Sequence, residues 1–273
     1  MDIGSSLEAA RQQIGRLEAR LLLQHVTGLS ASTLVAYPER PLDTAAQTAY
    51  RDLVARREAG EPIAYLIGRR EFYGRDFIVG PGVLIPRPET ELLVEQGMVK
   101  VADIAVPRIL DLGCGSGCIA ISLALERPDA SVTALDASAA ALAITQQNAT
   151  TLGASLRCLQ SDWCDALGAE RFHLIVSNPP YIPATDPHLG QGDLRFEPPT
   201  ALASGADGLD AIRCIIAAAP THLLPGGWLL FEHGYDQAEA MCALLEASGF
   251  SAIEQQRDLA GIIRVSGGQL KRS

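Results

Sequence analysis

The sequence predicts an α/β protein: a sheet of seven strands with helices on both faces, preceded by a small helical region and a β-hairpin linker. Three observations predict it. From about residue 107 onward, short apolar runs of strand length alternate with segments that are apolar at helical spacing. That is the pattern of β and α units around a mostly parallel sheet. A glycine-rich turn follows the first of those strands, and residues 1–75 carry their apolar residues at helical period.

The elements follow in order. Ser5-Ser6-Leu7-Glu8 resembles a helix N-cap, and Leu17, Leu21, Leu22, Leu23 and Val26 recur along one helical face that Gly28 could end. Pro38 and Pro41 mark a turn before a second helix through Arg57. Residues 76–88 change character: alternating apolar residues around Gly80-Pro81-Gly82 suggest the hairpin, with prolines stiffening its exit. The expected domains are therefore a helical region 1–75, a linker 76–88 and a larger domain 89–273. In the last, strands are expected at 108–112, 131–135, 156–159, 172–177, 227–232, 250–255 and 262–266. Helices are expected at 117–127, 138–152, 209–224 and 237–247. Ligands of such a sheet bind at the carboxyl ends of its strands.

Composition excludes several classes. A chain of 273 residues, 48% hydrophobic and 20% charged, has room for one large domain and a small one. No apolar run reaches the roughly 18 residues of a spanning helix, and Met1-Asp2-Ile3-Gly4 does not begin a secretory signal, so a cytoplasmic protein without a membrane partner is expected. Six cysteines include no C-x-x-C pair and five histidines show no ligand spacing, so neither disulfides nor a metal is expected. Net charge is −10 and unevenly placed. Residues 1–75 hold ten arginines and nine carboxylates, which leaves 12 basic and 23 acidic residues, a net −11, for the remainder. An acidic domain is a poor partner for a polyphosphate backbone.

Asp111-Leu112-Gly113-Cys114-Gly115-Ser116-Gly117 joins the first strand of the sheet to the helix after it. Glycine lets the backbone turn tightly and approach a ligand. A dinucleotide fingerprint would need glycine at Cys118, and no Lys-Ser or Lys-Thr of a P-loop follows. The D-x-G-x-G-x-G spacing instead resembles motif I of the class I methyltransferases, which cups the methionine part of S-adenosyl-L-methionine. Asp136 ends the next strand, where a carboxylate can accept from both ribose hydroxyls. After the third strand, Asp162 can accept from an adenine amino group and Trp163 can cover the ring. Each feature is common alone; at three consecutive strand ends they form one cofactor site, with Gly113 to Gly117, Asp136, Asp162 and Trp163 as its candidates.

The strand at 172–177 delivers Asn178-Pro179-Pro180-Tyr181 to its carboxyl end. An amide or aniline-type nitrogen is a poor nucleophile because its lone pair is delocalised. Methylating it requires in-line placement and acceptors for its N–H groups. The Asn178 side-chain oxygen and the Pro179 carbonyl can be those acceptors, two prolines in series fix where that carbonyl points, and Tyr181 can stack on a planar group. Catalysis here is positioning and hydrogen-bond polarisation. The tetrad alone suits the amino groups of adenine or cytosine in nucleic acid as well as a glutamine side chain.

Neighbouring segments carry a closer resemblance. Pro62-Ile63-Ala64-Tyr65-Leu66-Ile67-Gly68 with Glu71-Phe72, Leu84-Ile85-Pro86-Arg87-Pro88-Glu89-Thr90-Glu91, and Gln191-Gly192-Asp193-Leu194-Arg195-Phe196-Glu197-Pro198 are similar to the HemK/PrmC family over nearly the whole chain. The resemblance implies a Rossmann-like class I methyltransferase on a seven-stranded mixed sheet. It implies S-adenosyl-L-methionine as cofactor, S-adenosyl-L-homocysteine as product, and N5 of the glutamine in the Gly-Gly-Gln motif of class I peptide chain release factors as substrate. It makes 1–75 the release-factor-recognition domain, adds Asn178 to Gly113 to Gly117, Asp136 and Trp163 as cofactor-binding residues, and makes Asn178, Pro179, Pro180 and Tyr181 the holders of the glutamine, with Arg87 and Glu197 bordering the pocket. Arg87 as a surface partner of Glu89 or Glu91, and Glu197 as a plain loop carboxylate, are the alternatives. Cys114 stands where a small hydroxyl residue is frequent in the family. Gly267-Gly268-Gln269 spells the target tripeptide; a flexible tail after the last strand is expected there rather than a self-substrate.

Overall fold

The computed structural model describes residues 1–271. The chain forms two compact units: Met1–Arg69 with Gln191–Phe196, and Arg70–Gly190 with the chain from Glu197 on.

The first unit is helical: α1 (Ile3–Ile14), α2 (Arg16–Thr27), α3 (Ala31–Ala36), α4 (Thr44–Glu58) and α5 (Ile63–Ile67). Asp2, rather than the Ser5 segment, caps α1. Its carboxylate accepts from Ser5 N at 2.7 Å, and a charged acceptor also meets the positive end of the helix dipole. Gly15 (φ 82°) separates α1 from α2, and Gly28 (φ 67°) ends α2 in the left-handed conformation expected of a glycine C-cap. Leu22, Leu23 and Leu34 are buried with Ile3, whereas Leu17 faces solvent. The Tyr50 hydroxyl donates to Ala19 O across the helices at 2.9 Å. Residues 191–196 join this unit through Asp193, which pairs with Arg57 at 2.9 Å.

The hairpin is β1 (Arg69–Phe72) and β2 (Arg75–Ile78). It begins before the segment expected to form it, 76–88, and shares only residues 76–78 with it. Tyr73 (φ 52°) and Gly74 (φ 73°) make a two-residue turn with both φ positive, which matches the twist of paired strands. Gly80-Pro81-Gly82 forms only a turn after the strands have ended, since proline has no N–H for a ladder. A short 3-10 turn at Pro88–Thr90 leads into α6 (Glu91–Lys100). No helix is expected at α6 from sequence, because Gly97 interrupts its apolar pattern. That glycine lets the helix lie close to the sheet: a Cβ there would stand 3.2 Å from Leu174.

The remaining elements are β3 (Arg108–Leu112), α7 (Cys118–Glu126), β4 (Ser131–Asp136), α8 (Ala139–Leu152), β5 (Arg157–Gln160) and β6 (Phe172–Ser177). After them come α9 (Asp210–His222), β7 (Leu223–Glu232), α10 (Ala238–Ala247), β8 (Phe250–Arg257) and β9 (Ile263–Leu270). The seven-stranded sheet has the order β5-β4-β3-β6-β7-β9-β8, parallel except at β9. It is the mixed sheet that was expected. The chain leaves β3 for β4 on one side and returns to β6 on the other, so a ligand crevice opens at the carboxyl end of β3. Two apolar layers cover its faces, one including Leu123, Leu174 and Leu230, the other Ile175, Ile212 and Phe231.

Gly267-Gly268-Gln269 is not a tail. All three lie inside β9, where Gly267 pairs with Leu230 and Gln269 with Trp228. The last strand therefore runs four residues beyond its expected end, because glycines can sit where no side chain fits: a Cβ on Gly267 would stand 2.5 Å from Leu229 O. The Gln269 amide donates to Gly226 O at 2.8 Å. Locked in the ladder, it is not presented as a substrate.

Candidate active site

Strand register assembles the site. Leu112 of β3 lies opposite Leu135 of β4 and Ser177 of β6, so Gly113, Asp136 and Asn178 emerge side by side. The Ser177 hydroxyl ties the pair by donating to Leu112 O at 2.7 Å. Asp136 in turn lies opposite Gln160 of β5, which brings Asp162 and Trp163 to the same edge.

The glycine loop is held from within. Gly113 N and Cys114 N both donate to Leu135 O, at 2.9 and 2.8 Å. Gly113, Gly115 and Gly117 all have positive φ (74°, 55° and 80°), a backbone that a side chain would strain. Asp136 accepts from Gly115 N at 2.9 Å and from Ser138 N at 2.8 Å, which leaves lone pairs on both oxygens for a ligand. The buried Asp111 holds the start of α7 by accepting from Ala120 N at 3.1 Å; desolvation lifts its pKa to about 7. Cys114 packs its thiol against Thr145 at 3.4 Å, and burial raises that thiol well above the usual range. It is a filler, not a nucleophile.

A cavity of about 380 Å³ lies over this edge, within the roughly 300–1,000 Å³ typical of ligand sites. Gly113 to Ser116, Asp136, Asp162, Trp163, Asn178, Pro179, Pro180 and Arg87 all border it. Three expected site residues do not. Gly117 opens α7, where a Cβ would meet Thr145 and Ile121 at 2.8 and 2.9 Å, so its role is packing. Tyr181 lies behind the cavity, with its hydroxyl donating to Glu232 Oε1 at 3.3 Å. Burial, and the Glu232 charge, push its phenol pKa up. Glu197 is buried (3% exposed), accepts from Ile85 N at 2.9 Å and pairs with Arg87. The two residues singled out separately are thus partners. Glu91, an alternative partner for Arg87, instead accepts from Tyr73 N at 2.9 Å.

The acceptor at the centre is Asn178. Its Nδ2 donates to the Thr90 hydroxyl at 3.2 Å, while Oδ1 is buried with no hydrogen-bond partner. A buried acceptor left open costs about 1–3 kcal/mol, a cost that a bound N–H group removes. Trp163, held at φ 42°, brings its ring within 4.0 Å of where a Gly113 Cβ would lie. Open glycine backbone, two strand-end carboxylates, a ring and this acceptor suit S-adenosyl-L-methionine and an amide nitrogen. Sequence reasoning missed Thr90, Glu232 and Asn148. Asn148 is fully buried in α8 and completes the backbone of β2: Oδ1 accepts from Ile78 N at 2.7 Å, and Nδ2 donates to Ile78 O and to Ser116 O. Among the described residues no cluster of three or more potential ligands could hold a metal ion, and no helix is long and apolar enough to cross a membrane.

A sheet of this order, with its glycine loop and Asn-Pro-Pro-Tyr loop at adjoining strand ends, defines a class I methyltransferase. A T. thermophilus 16S rRNA methyltransferase solved with AdoMet and guanosine shares the fold, with a TM-score of 0.54 at 22% identity over 74% of this chain and 50% of its own. Residues 2–68 match the PrmC N-terminal domain and residues 88–190 the methyltransferase small domain. The release factor glutamine methyltransferase of Bordetella pertussis is 56% identical over 93% of this chain and 95% of that protein; its counterpart in Burkholderia pseudomallei is 55% identical over 93% and 92%. The chain belongs to the release factor glutamine methyltransferase family.

Proposed function

We infer that the chain transfers a methyl group from S-adenosyl-L-methionine to the side-chain amide nitrogen of a glutamine in a class I peptide chain release factor, at the Gly-Gly-Gln motif. One observation carries the chemistry: the buried Asn178 Oδ1 has no hydrogen-bond partner, on a residue that borders the cavity together with Pro179 and Pro180. When bound, the cofactor supplies an electrophilic methyl group on a sulfonium. The glycine loop would hold its methionine part, Asp136 its ribose, and Asp162 with Trp163 its adenine. Asn178 Oδ1 and the Pro179 carbonyl would take the two N–H groups of the substrate amide, which raises electron density on nitrogen and fixes its lone pair in line. No strong base is needed, because the alkylated amide nitrogen is acidic and releases its proton readily. Tyr181 supports the loop from behind, and Arg87 with Glu197 braces the rim.

We assign recognition of the release factor to the N-terminal helical unit and the linker (expected as 1–75 and 76–88), leaving 89–273 for methyl transfer. The enzyme then acts in the cytoplasm beside its protein substrate, where its six free cysteines suit a reducing compartment. An amino group of adenine or cytosine would satisfy the same acceptors, but the −11 balance of residues 76–273 opposes a polyphosphate. Incubating the enzyme with labelled S-adenosyl-L-methionine and either release factor or DNA separates the two. Label is expected in release factor; label in DNA alone overturns the assignment.

A further inference from the structure

Pro179 and Pro180 have no N–H, so the catalytic loop has no backbone donors of its own between Asn178 and Tyr181. The two rings fix φ, but each ψ stays free, and ψ decides where a carbonyl points. The direction of the Pro179 carbonyl must therefore be set from the two ends of the loop. We propose that Gln237 is a positioning residue that holds the far end of the Asn178-Pro179-Pro180-Tyr181 loop, and through it the Pro179 carbonyl, for methyl transfer. The inference rests on the amide-methylation reading above and extends it to a residue outside the tetrad.

The near end continues from β6, where the Ser177 hydroxyl donates to Leu112 O at 2.7 Å. At the far end the Tyr181–Ile182 peptide is gripped on both edges. Gln237 Nε2 donates to Tyr181 O at 2.9 Å, and Ile182 N donates to Leu202 O at 2.9 Å. A peptide group is planar, so bonds to its carbonyl and to its N–H fix the whole plane.

Gln237 is itself held. It is 8% exposed and lies in the turn that joins β7 to α10, where its Oε1 accepts from Gly234 N at 2.8 Å and its own N donates to Gly234 O at 3.1 Å. His233 anchors the start of that turn, its ring joining Gly234 O to the Ser266 hydroxyl of β9, each at 2.8 Å. A backbone N–H only donates and a carbonyl only accepts, so these partners leave the Gln237 carboxamide one orientation. A glutamate of the same shape would keep the bond to Gly234 but set an ionised oxygen against Tyr181 O. Gly208 (φ 79°) closes the contact from the other side: a Cβ there would stand 2.8 Å from Gln237 Nε2 and drive into Tyr181 O.

Steady-state methyl transfer to release factor, with calorimetry for cofactor affinity, tests the proposal. Gln237→Glu is expected to lower kcat about tenfold to hundredfold, the scale of a displaced catalytic group, while KM for release factor and cofactor affinity stay within about threefold. Gly208→Ala is expected to lower kcat through the same contact. The double variant is then no more than about threefold slower than the slower single one, because the two changes break one interaction. Losses that multiply instead overturn the shared role. So does a folded single variant with full kcat, or one whose loss of kcat is matched in cofactor affinity; where one variant fails to fold, the other decides. An Asn178→Ala enzyme with full kcat overturns the amide-methylation reading beneath it, so the two failures are distinct.

Discussion

Asp136 is the residue we propose to serve structure and ligand together. Its two oxygens anchor Gly115 and Ser138, which shapes the loop, and the residue borders the cavity. Asp136→Ala is expected to weaken S-adenosyl-L-methionine binding about tenfold to hundredfold, the worth of charge-assisted hydrogen bonds. Calorimetry giving an unchanged affinity would contradict a ribose contact. Asp136, Asp162 and Asn178 were legible in the sequence because each follows an apolar run that must be a strand. Thr90 and Glu232 were not. Their contacts with Asn178 and Tyr181 span 88 and 51 residues, and no local pattern encodes a pairing over that distance. Arg87 and Glu197 stood out only through resemblance, and their mutual ion pair replaces the surface pairing that local spacing suggested.

Among elements, those with strong period and caps were legible: β3, β4, β6, α7 and α8 fall within a residue or so of expectation. Short or interrupted elements were not. α3 has six residues and α6 contains Gly97, so neither presents a clear stripe. The hairpin was displaced because Gly80-Pro81-Gly82 looks more like a turn than Tyr73-Gly74, although only the latter carries the backbone that pairs strands. β9 gives the opposite lesson, since two glycines read as a loop although they are there to fit between β7 and β8. Gly267→Ala would drive a methyl into Leu229 O and Leu230. It is expected to cost about 1–3 kcal/mol, as overpacking does, read as a lower denaturant midpoint with the slope unchanged. A midpoint equal to wild type would mean that β9 is not packed as described.

Across the whole molecule, charge and chemistry separate along the chain. The first 75 residues are near neutral and arginine-rich, while residues 76–273 carry the net −11. That field opposes a polyphosphate backbone, a charge that a glutamine on a protein does not bring. The most direct measurement is mass spectrometry of a release factor after incubation with S-adenosyl-L-methionine and either wild-type enzyme or Asn178→Ala. One methyl group on the side-chain amide of the Gly-Gly-Gln glutamine is expected with the wild type, and accumulation about a hundredfold slower with the variant, as for loss of one transition-state acceptor. A methyl group on any other residue, or a variant as fast as wild type, would contradict it.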